Sequence, residues 1–169
     1  MRFRLPFLSL LAPLALISGC TAPLRPDLPG RLADGTMRLP NGWYLSPAGD
    51  QVEVGELPLN MAVTPDGRYV ITTDNGTARQ SLSVIDIAAW KVVQQIPLRK
   101  SWVGIRMFAG GSRFLVSGGN DNRVDVYEFA SGRGRRIDSL VIAPPRPAAK
   151  VWVGGVDIDE ESGTVYAVG

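Results

Sequence analysis

Residues 60–76 read NMAVTPDGRYVITTDNG, a strand, a tight turn and a second strand. The first apolar run stops at Pro65-Asp66-Gly67, where proline presets φ and glycine accepts a conformation that a β-carbon opposes. Beyond the turn come Tyr69, Val70, Ile71 and Thr72, aromatic and β-branched residues that fit a pleated, half-buried surface. The layout returns twice, as IRMFAGGSRFLVSGGND (105–121) and GGVDIDEESGTVYAVG (154–169). Arg68 is matched by Arg113, 45 residues on, and Trp102-Val103-Gly104 by Trp152-Val153-Gly154, 50 residues on. The two offsets differ because loops differ, chiefly at APPRPAA (143–149). Repetition at a fixed period of this size is the sequence signature of a repeat architecture.

Each repeat divides into short strands. The first gives 60–64, 69–73, 82–87 and 91–96, with Asn75-Gly76 opening the second connection and Ala88-Ala89 the third. The second gives 103–108, 113–117, 123–129 and 136–142, and the third gives 153–158 and 164–168. Four-stranded antiparallel units at this spacing are the blades of a β-propeller, an all-β fold of about four to eight blades around a channel. The expectation is therefore an incomplete propeller over 41–169: blades at about 57–98 and 99–142, and a truncated one at 151–169. A hairpin at 42–55 (GWYLSPAGDQVEVG), turning around 46–49, precedes them. A chain that stops between the second and third strands of a blade reads as the amino-terminal part, or a fragment, of a longer protein. Its open blade edges are hazards for aggregation.

Composition narrows the chemistry. Gly (19) and Pro (13) are frequent enough to expect many turns and few helices. There is no histidine, which removes Ser-His-Asp and Cys-His nucleophile systems and the commonest ligand of zinc, copper and non-haem iron. No C-x-x-C-H haem site is present either. Removing residues 1–19, which hold Arg2 and Arg4 and no acid, brings the formal +2 to zero, so charge gives no argument for nucleic acid. The basic clusters Arg99-Lys100 and Arg133/Arg135/Arg136 read most simply as solvated turn residues.

The first twenty residues, MRFRLPFLSLLAPLALISGC, have a basic start, an apolar run and then small residues, the layout of a secretory signal peptide. The apolar run is too short, and too broken by Pro6 and Pro13, to span a bilayer as a helix. Ile17-Ser18-Gly19-Cys20 resembles the bacterial lipobox. The resemblance implies cleavage after residue 19, acylation of Cys20 and a lipid-anchored protein on the periplasmic side of the cell envelope. Several acyl chains would make the anchoring effectively permanent. Thr21 after the cysteine favours the outer membrane. From there to about residue 40 the chain is rich in Pro, Gly and Arg without periodicity, which suits a flexible tether.

The stretches LPLNMAVTPDGRYVITTDNG, SLSVIDIAAWKVVQQIPL and FLVSGGNDNRVDVYEF resemble YVTN-type β-propeller repeats, over about residues 40–169. LPNGWYLSPAGDQVEVGELPLNMAVTPDG and GGNDNRVDVYEF are similar to exported bacterial propellers fused to an alkaline-phosphatase-like phosphoesterase. That resemblance implies a catalytic half that binds metals through Asp and His, and this chain carries none of it. A propeller fold by itself does not fix function.

Several candidate positions have both a structural and a functional reading. Asn120-Asp121-Asn122 offers three oxygen-bearing side chains, but lacks the alternating acidic spacing of a calcium loop and suits a hairpin turn. Asp157, Asp159, Glu160 and Glu161 could supply paired carboxylates, or form a solvated turn and strand edge. Trp102 and Trp152 recur just before an innermost strand, where they either pack between blades or face a ligand on the loops. Arg79 and Gln80 lie in the longest intra-blade loop as ligand or partner contacts. No catalytic residue, metal or cofactor is assigned. The expectation is a lipid-anchored binding or scaffold module, with the propeller part of an exported phosphoesterase as the alternative.

Overall fold

The computed structural model describes residues 28–77, 79–143 and 151–169. The signal peptide and Cys20 lie outside the described residues. The chain divides into two compact units, one ending at Gly49 and one running from Asp50 to Gly169.

In the first unit, β1 (Gly30–Arg31), β2 (Met37–Arg38) and β3 (Tyr44–Leu45) form an antiparallel meander. The part of the expected tether between residues 28 and 40 thus contains two short strands. The expected hairpin at 42–55 does not form, because Tyr44–Leu45 pairs backward with Met37–Arg38. The reason is Asn41-Gly42, a stronger hairpin signal than residues 46–49. Gly42 takes φ 83°, the Gly42 amide donates to Leu39 O at 2.9 Å, and the Trp43 amide donates to Asn41 Oδ1 at 3.1 Å.

The second unit is three consecutive antiparallel meanders. β4 (Pro58–Val63), β5 (Tyr69–Asp74), β6 (Gln80–Asp86) and β7 (Lys91–Leu98) make one four-stranded sheet in chain order. β8 (Ile105–Phe108), β9 (Arg113–Ser117), β10 (Arg123–Ala130) and β11 (Arg133–Val141) make the second. β12 (Gly155–Asp159) and β13 (Thr164–Val168) make a two-stranded third. This is the blade pattern of an incomplete β-propeller, with strand ends shifted in places: β8 starts at Ile105 where 103 is expected, and β12 at Gly155 where 153 is expected.

The largest shift is at β11, which starts at Arg133 where 136 is expected. Arg133, Arg135 and Arg136 lie on a strand and not in a turn. Ser131 (φ 50°) and Gly132 (φ 76°) are both left-handed and close the β10–β11 hairpin in two residues, so pairing starts at Ala130 with Arg133. Arg135 then donates to Glu128 at 2.8 Å across the pair.

The Pro65-Asp66-Gly67 turn forms as the residues dictate. The Gly67 amide donates to Thr64 O at 2.8 Å, Gly67 takes φ 69°, and Asp66 Oδ1 accepts from Thr64 Oγ1 and from the Arg68 amide. Those bonds hold the Asp66 carboxyl below its ordinary range, the Thr64 hydroxyl contributing most.

Because side chains alternate across a strand, each blade shows one face to each neighbour. Tyr69, Ile71, Leu82 and Val84 of the first blade meet Phe114, Val116, Tyr127 and Phe129 of the second in one buried cluster. Phe114 stacks on Tyr127, with ring centroids 4.7 Å apart. The opposite face of the second blade, through Leu115 and Val124, packs on Val156, Ile158, Val165 and Ala167 of the third, with buried Val153 between them.

Polar clamps add to the apolar contact. Gln94 on β7 donates through Nε2 to Gly134 O (3.0 Å) and accepts from the Gly134 amide through Oε1 (2.7 Å), joining the outer strands. Asn60 Nδ2 donates to Val103 O at 2.7 Å near the inner strands. The first blade's other face is polar where buried. Asp74 accepts from Thr72 Oγ1, Ser81 Oγ, Ser83 Oγ and the Gly55 amide, so both carboxylate oxygens are satisfied within the fold.

Candidate functional site

Antiparallel order sends alternate connections to the same end of a blade. The β5–β6 and β9–β10 loops therefore emerge together with the linkers from β7 to β8 and from β11 to β12. Arg79, Gln80, Trp102, Asn120, Asp121 and Trp152, scattered over more than seventy positions of sequence, all gather at this loop face. Arg79 lies in the β5–β6 loop. Gln80 does not lie in that loop as expected, because it opens β6 and pairs with Leu98.

Hydrogen bonds fasten these connections to one another. The Ser101 amide donates to Gln80 Oε1 at 2.8 Å, and Ser101 Oγ donates to Asn75 Oδ1 at 2.8 Å, so the linker after β7 is tied to the β5–β6 loop. The Val153 amide donates to Gly119 O at 3.0 Å, which ties the next linker to the β9–β10 loop.

Trp102 and Trp152 are brought together as an edge-to-face pair, with ring centroids 5.2 Å apart and an interplanar angle of 86°. The packing reading holds. The rings pack across adjacent blades, yet Trp152 keeps 43% of its surface exposed at the loop face. The glycine of each Trp-Val-Gly has a purpose at Gly104, where a β-carbon would sit 2.7 Å from Gly154 O.

Asn120-Asp121-Asn122 is a turn. The Asp121 amide donates to Gly118 O at 3.0 Å, and Asn122 takes the left-handed φ of 56°. Both carboxylate oxygens of Asp121 accept from Arg99, through Nε and Nη2 at 2.9 Å each. The guanidinium holds the Asp121 carboxyl below its usual range, mainly through these hydrogen bonds. A fork-to-fork ion pair thus occupies the group that a cation would need.

Three of the four carboxylates of the third repeat's acidic run are likewise employed by the fold. Asp157 pairs with Arg106 at 3.1 Å, and Asp159 caps its turn by accepting from Ser162 Oγ at 2.6 Å. Glu160 reaches the second blade, accepting from the Ala109 amide at 2.8 Å. Among the described residues no group of three acidic, Cys or His side chains is arranged to hold a metal.

Arg99-Lys100 forms an exposed bend, as the sequence reading has it, and both residues also line a cleft at this face. A cleft of about 330 Å³ lies between the β5–β6 loop and the linker after β7, with Thr77, Arg79, Gln80, Arg99 and Lys100 on its walls. A second cleft of about 500 Å³ adjoins it, sharing Arg79, Gln80 and Pro97 and adding Glu56 and Gln95. A sequence signal existed, in the basic dipeptide directly before the recurrent Trp-Val-Gly. Its convergence with Arg79 depends on blade pairing.

No protein-family model matches the chain, and no curated protein matches it. Among solved structures it is similar to hydrazine synthase of Kuenenia stuttgartiensis, at 26% identity and a TM-score of 0.52, over 65% of this chain and 29% of that one. It is also similar to a periplasmic gluconolactonase of Pseudomonas aeruginosa, at 18% identity and a TM-score of 0.52, over 66% of this chain and 40% of that one. A putative 6-phosphogluconolactonase of Bacteroides uniformis aligns at 13% identity and a TM-score of 0.48, over 79% of this chain and 50% of that one. The first two support the β-propeller architecture. The chain spans half or less of each of these proteins.

Proposed function

We propose that this chain is a lipid-anchored binding module of the bacterial cell envelope, a YVTN-like β-propeller that holds its ligand or partner at the loop face. The observation that carries the reading is the convergence of four connections from successive blades on one end, fastened in pairs by Ser101 and by the Val153–Gly119 bond and displaying Trp152. Loops positioned by a rigid scaffold are where propellers and other repeat folds place binding residues. The address rests on the order of charge, apolar run, small residues and Cys20 in the sequence.

The test uses two tryptophans on opposite ends of the blades. Trp152 lies at the loop face, and Trp90 lies in the β6–β7 turn at the other end with comparable exposure, 47%. A photo-crosslinking residue is placed at one or the other position in the full chain, in its own cells, and adducts are read by intact mass. An adduct at position 152 and none at 90 supports the binding face. Equal adducts, or none at 152, overturn it. In parallel, Cys20→Ser should abolish acyl labelling and release the protein from membranes. Unchanged fractionation would remove the anchor from the proposal.

A further inference from the structure

Donors and cations line one part of the cleft between the β5–β6 loop and the linker after β7, and Gly76, Pro97 and Leu98 line the rest. Arg79, Arg99 and Lys100 are the charged residues on its walls, and no carboxylate lines it. Arg99 is the one of the three already engaged, by Asp121 on the neighbouring loop. Arg79 and Lys100 make no ion pair among the described residues.

Gln80 adds a donor of fixed orientation. Because the Ser101 amide needs an acceptor, the side-chain oxygen of Gln80 must face it, at 2.8 Å, and the NH2 group is turned the other way. That NH2 has no partner among the described residues, and Gln80 lines the cleft. Thr77 lines it as well. At the foot of the same two loops Asn75 is buried, its Oδ1 accepts from Ser101 Oγ, and its Nδ2 has no partner among the described residues. Two Ser101 hydrogen bonds therefore hold the Arg79 loop and the Lys100 linker in place before any ligand arrives, and such preorganisation lowers the cost of binding.

We infer that this cleft is a site for a small oxyanion, the phosphate or carboxylate group of a soluble ligand, held by Arg79 and Lys100 with Gln80 Nε2 and Thr77 Oγ1 as neutral donors. Arg99, oriented by Asp121, supplies the rim charge. Guanidinium and ammonium groups with convergent N–H and O–H donors suit an acceptor-only ligand group. A ligand cation would face Arg79 and Lys100 with no carboxylate on the cleft's lining to offset them.

The inference deepens the loop-face reading and rests on it. The test titrates the full chain with inorganic phosphate and, separately, with malonate, by calorimetry at low ionic strength. Saturable binding of one or both is expected, and the stronger of the two identifies the anion class. Arg79→Ala and Lys100→Ala should each weaken binding about tenfold, the size of one lost charge-assisted contact. Arg135→Ala, an exposed cation on β11 away from the cleft, should leave it unchanged. Gln80→Glu, which places a negative charge on the wall, should abolish it. Absence of saturable binding by either anion, or equal weakening by Arg135→Ala, overturns the site. If position 152 crosslinks a ligand while neither anion binds, the oxyanion site fails and the loop face stands. If neither is seen, both fail.

Discussion

Changing Gln94 to Glu tests whether the blades are joined as described, by altering one atom's hydrogen-bonding character and almost nothing of the shape. Gln94 Nε2 donates to Gly134 O at 3.0 Å while Oε1 accepts from the Gly134 amide at 2.7 Å. A carboxylate can keep the second bond but can only accept, so its other oxygen faces the Gly134 carbonyl. One net hydrogen bond is lost, roughly 1 kcal/mol, and the carbonyl of the buried Gly134 is left without its donor, roughly 1–3 kcal/mol more. The expected loss is about 2–4 kcal/mol at neutral pH, a large share of a domain's stability. Gln94→Ala removes both bonds and should cost about as much, although it introduces no charge. The two variants separate at low pH, where a protonated Glu regains a donor: Gln94→Glu should recover relative to Gln94→Ala below about pH 4. Equilibrium urea unfolding of the full chain, from neutral to acid pH, measures this. If both variants stay within about 0.5 kcal/mol of the parent, the clamp contributes nothing and docking of the outer strands has been misread.

Two further outcomes are expected. Phe114→Ala removes a fully buried ring stacked on Tyr127 between the first two blades, and should cost about 3–5 kcal/mol by the same unfolding measurement. A loss under about 1 kcal/mol would mean that the interface collapses around the gap or was never tight. Asp121 has its carboxyl held below the usual range by Arg99, so its contribution is complete above the unfolded value of about 3.9 and fades as pH falls through the lower folded value. The stability gap between the parent and Asp121→Asn should therefore narrow on acidification below about pH 4, and also with added salt, since Arg99 is largely exposed. A gap that widens on acidification would contradict the pairing.

The repeat was legible because it rests on local chemistry. Pro65-Asp66-Gly67 needs only its own backbone to turn, and the alternation in 69–73 needs only the pleat, so strand positions such as Arg113–Ser117 and Thr164–Val168 could be read directly. Local chemistry also explains two failures. Asn41-Gly42 and Ser131-Gly132 are both compact turn pairs, and giving them less weight than longer polar stretches misplaced a hairpin and the start of β11.

The sequence by itself determined the blades, their order and the recurrence of Trp-Val-Gly, because period and turn residues act over a few positions. Only the tertiary structure decided what those blades bring together. Arg79 and Lys100 are twenty-one positions apart in sequence and share a cleft because β6 and β7 form a hairpin that returns the chain to the same end. Trp102 and Trp152 are fifty apart and touch because consecutive blades pack face to face. Asp121 reads from the sequence as a turn residue, and only the neighbouring linker shows Arg99 seated on both of its oxygens. Which charges are free and which are already paired depends on distances between strands, and no local pattern encodes them.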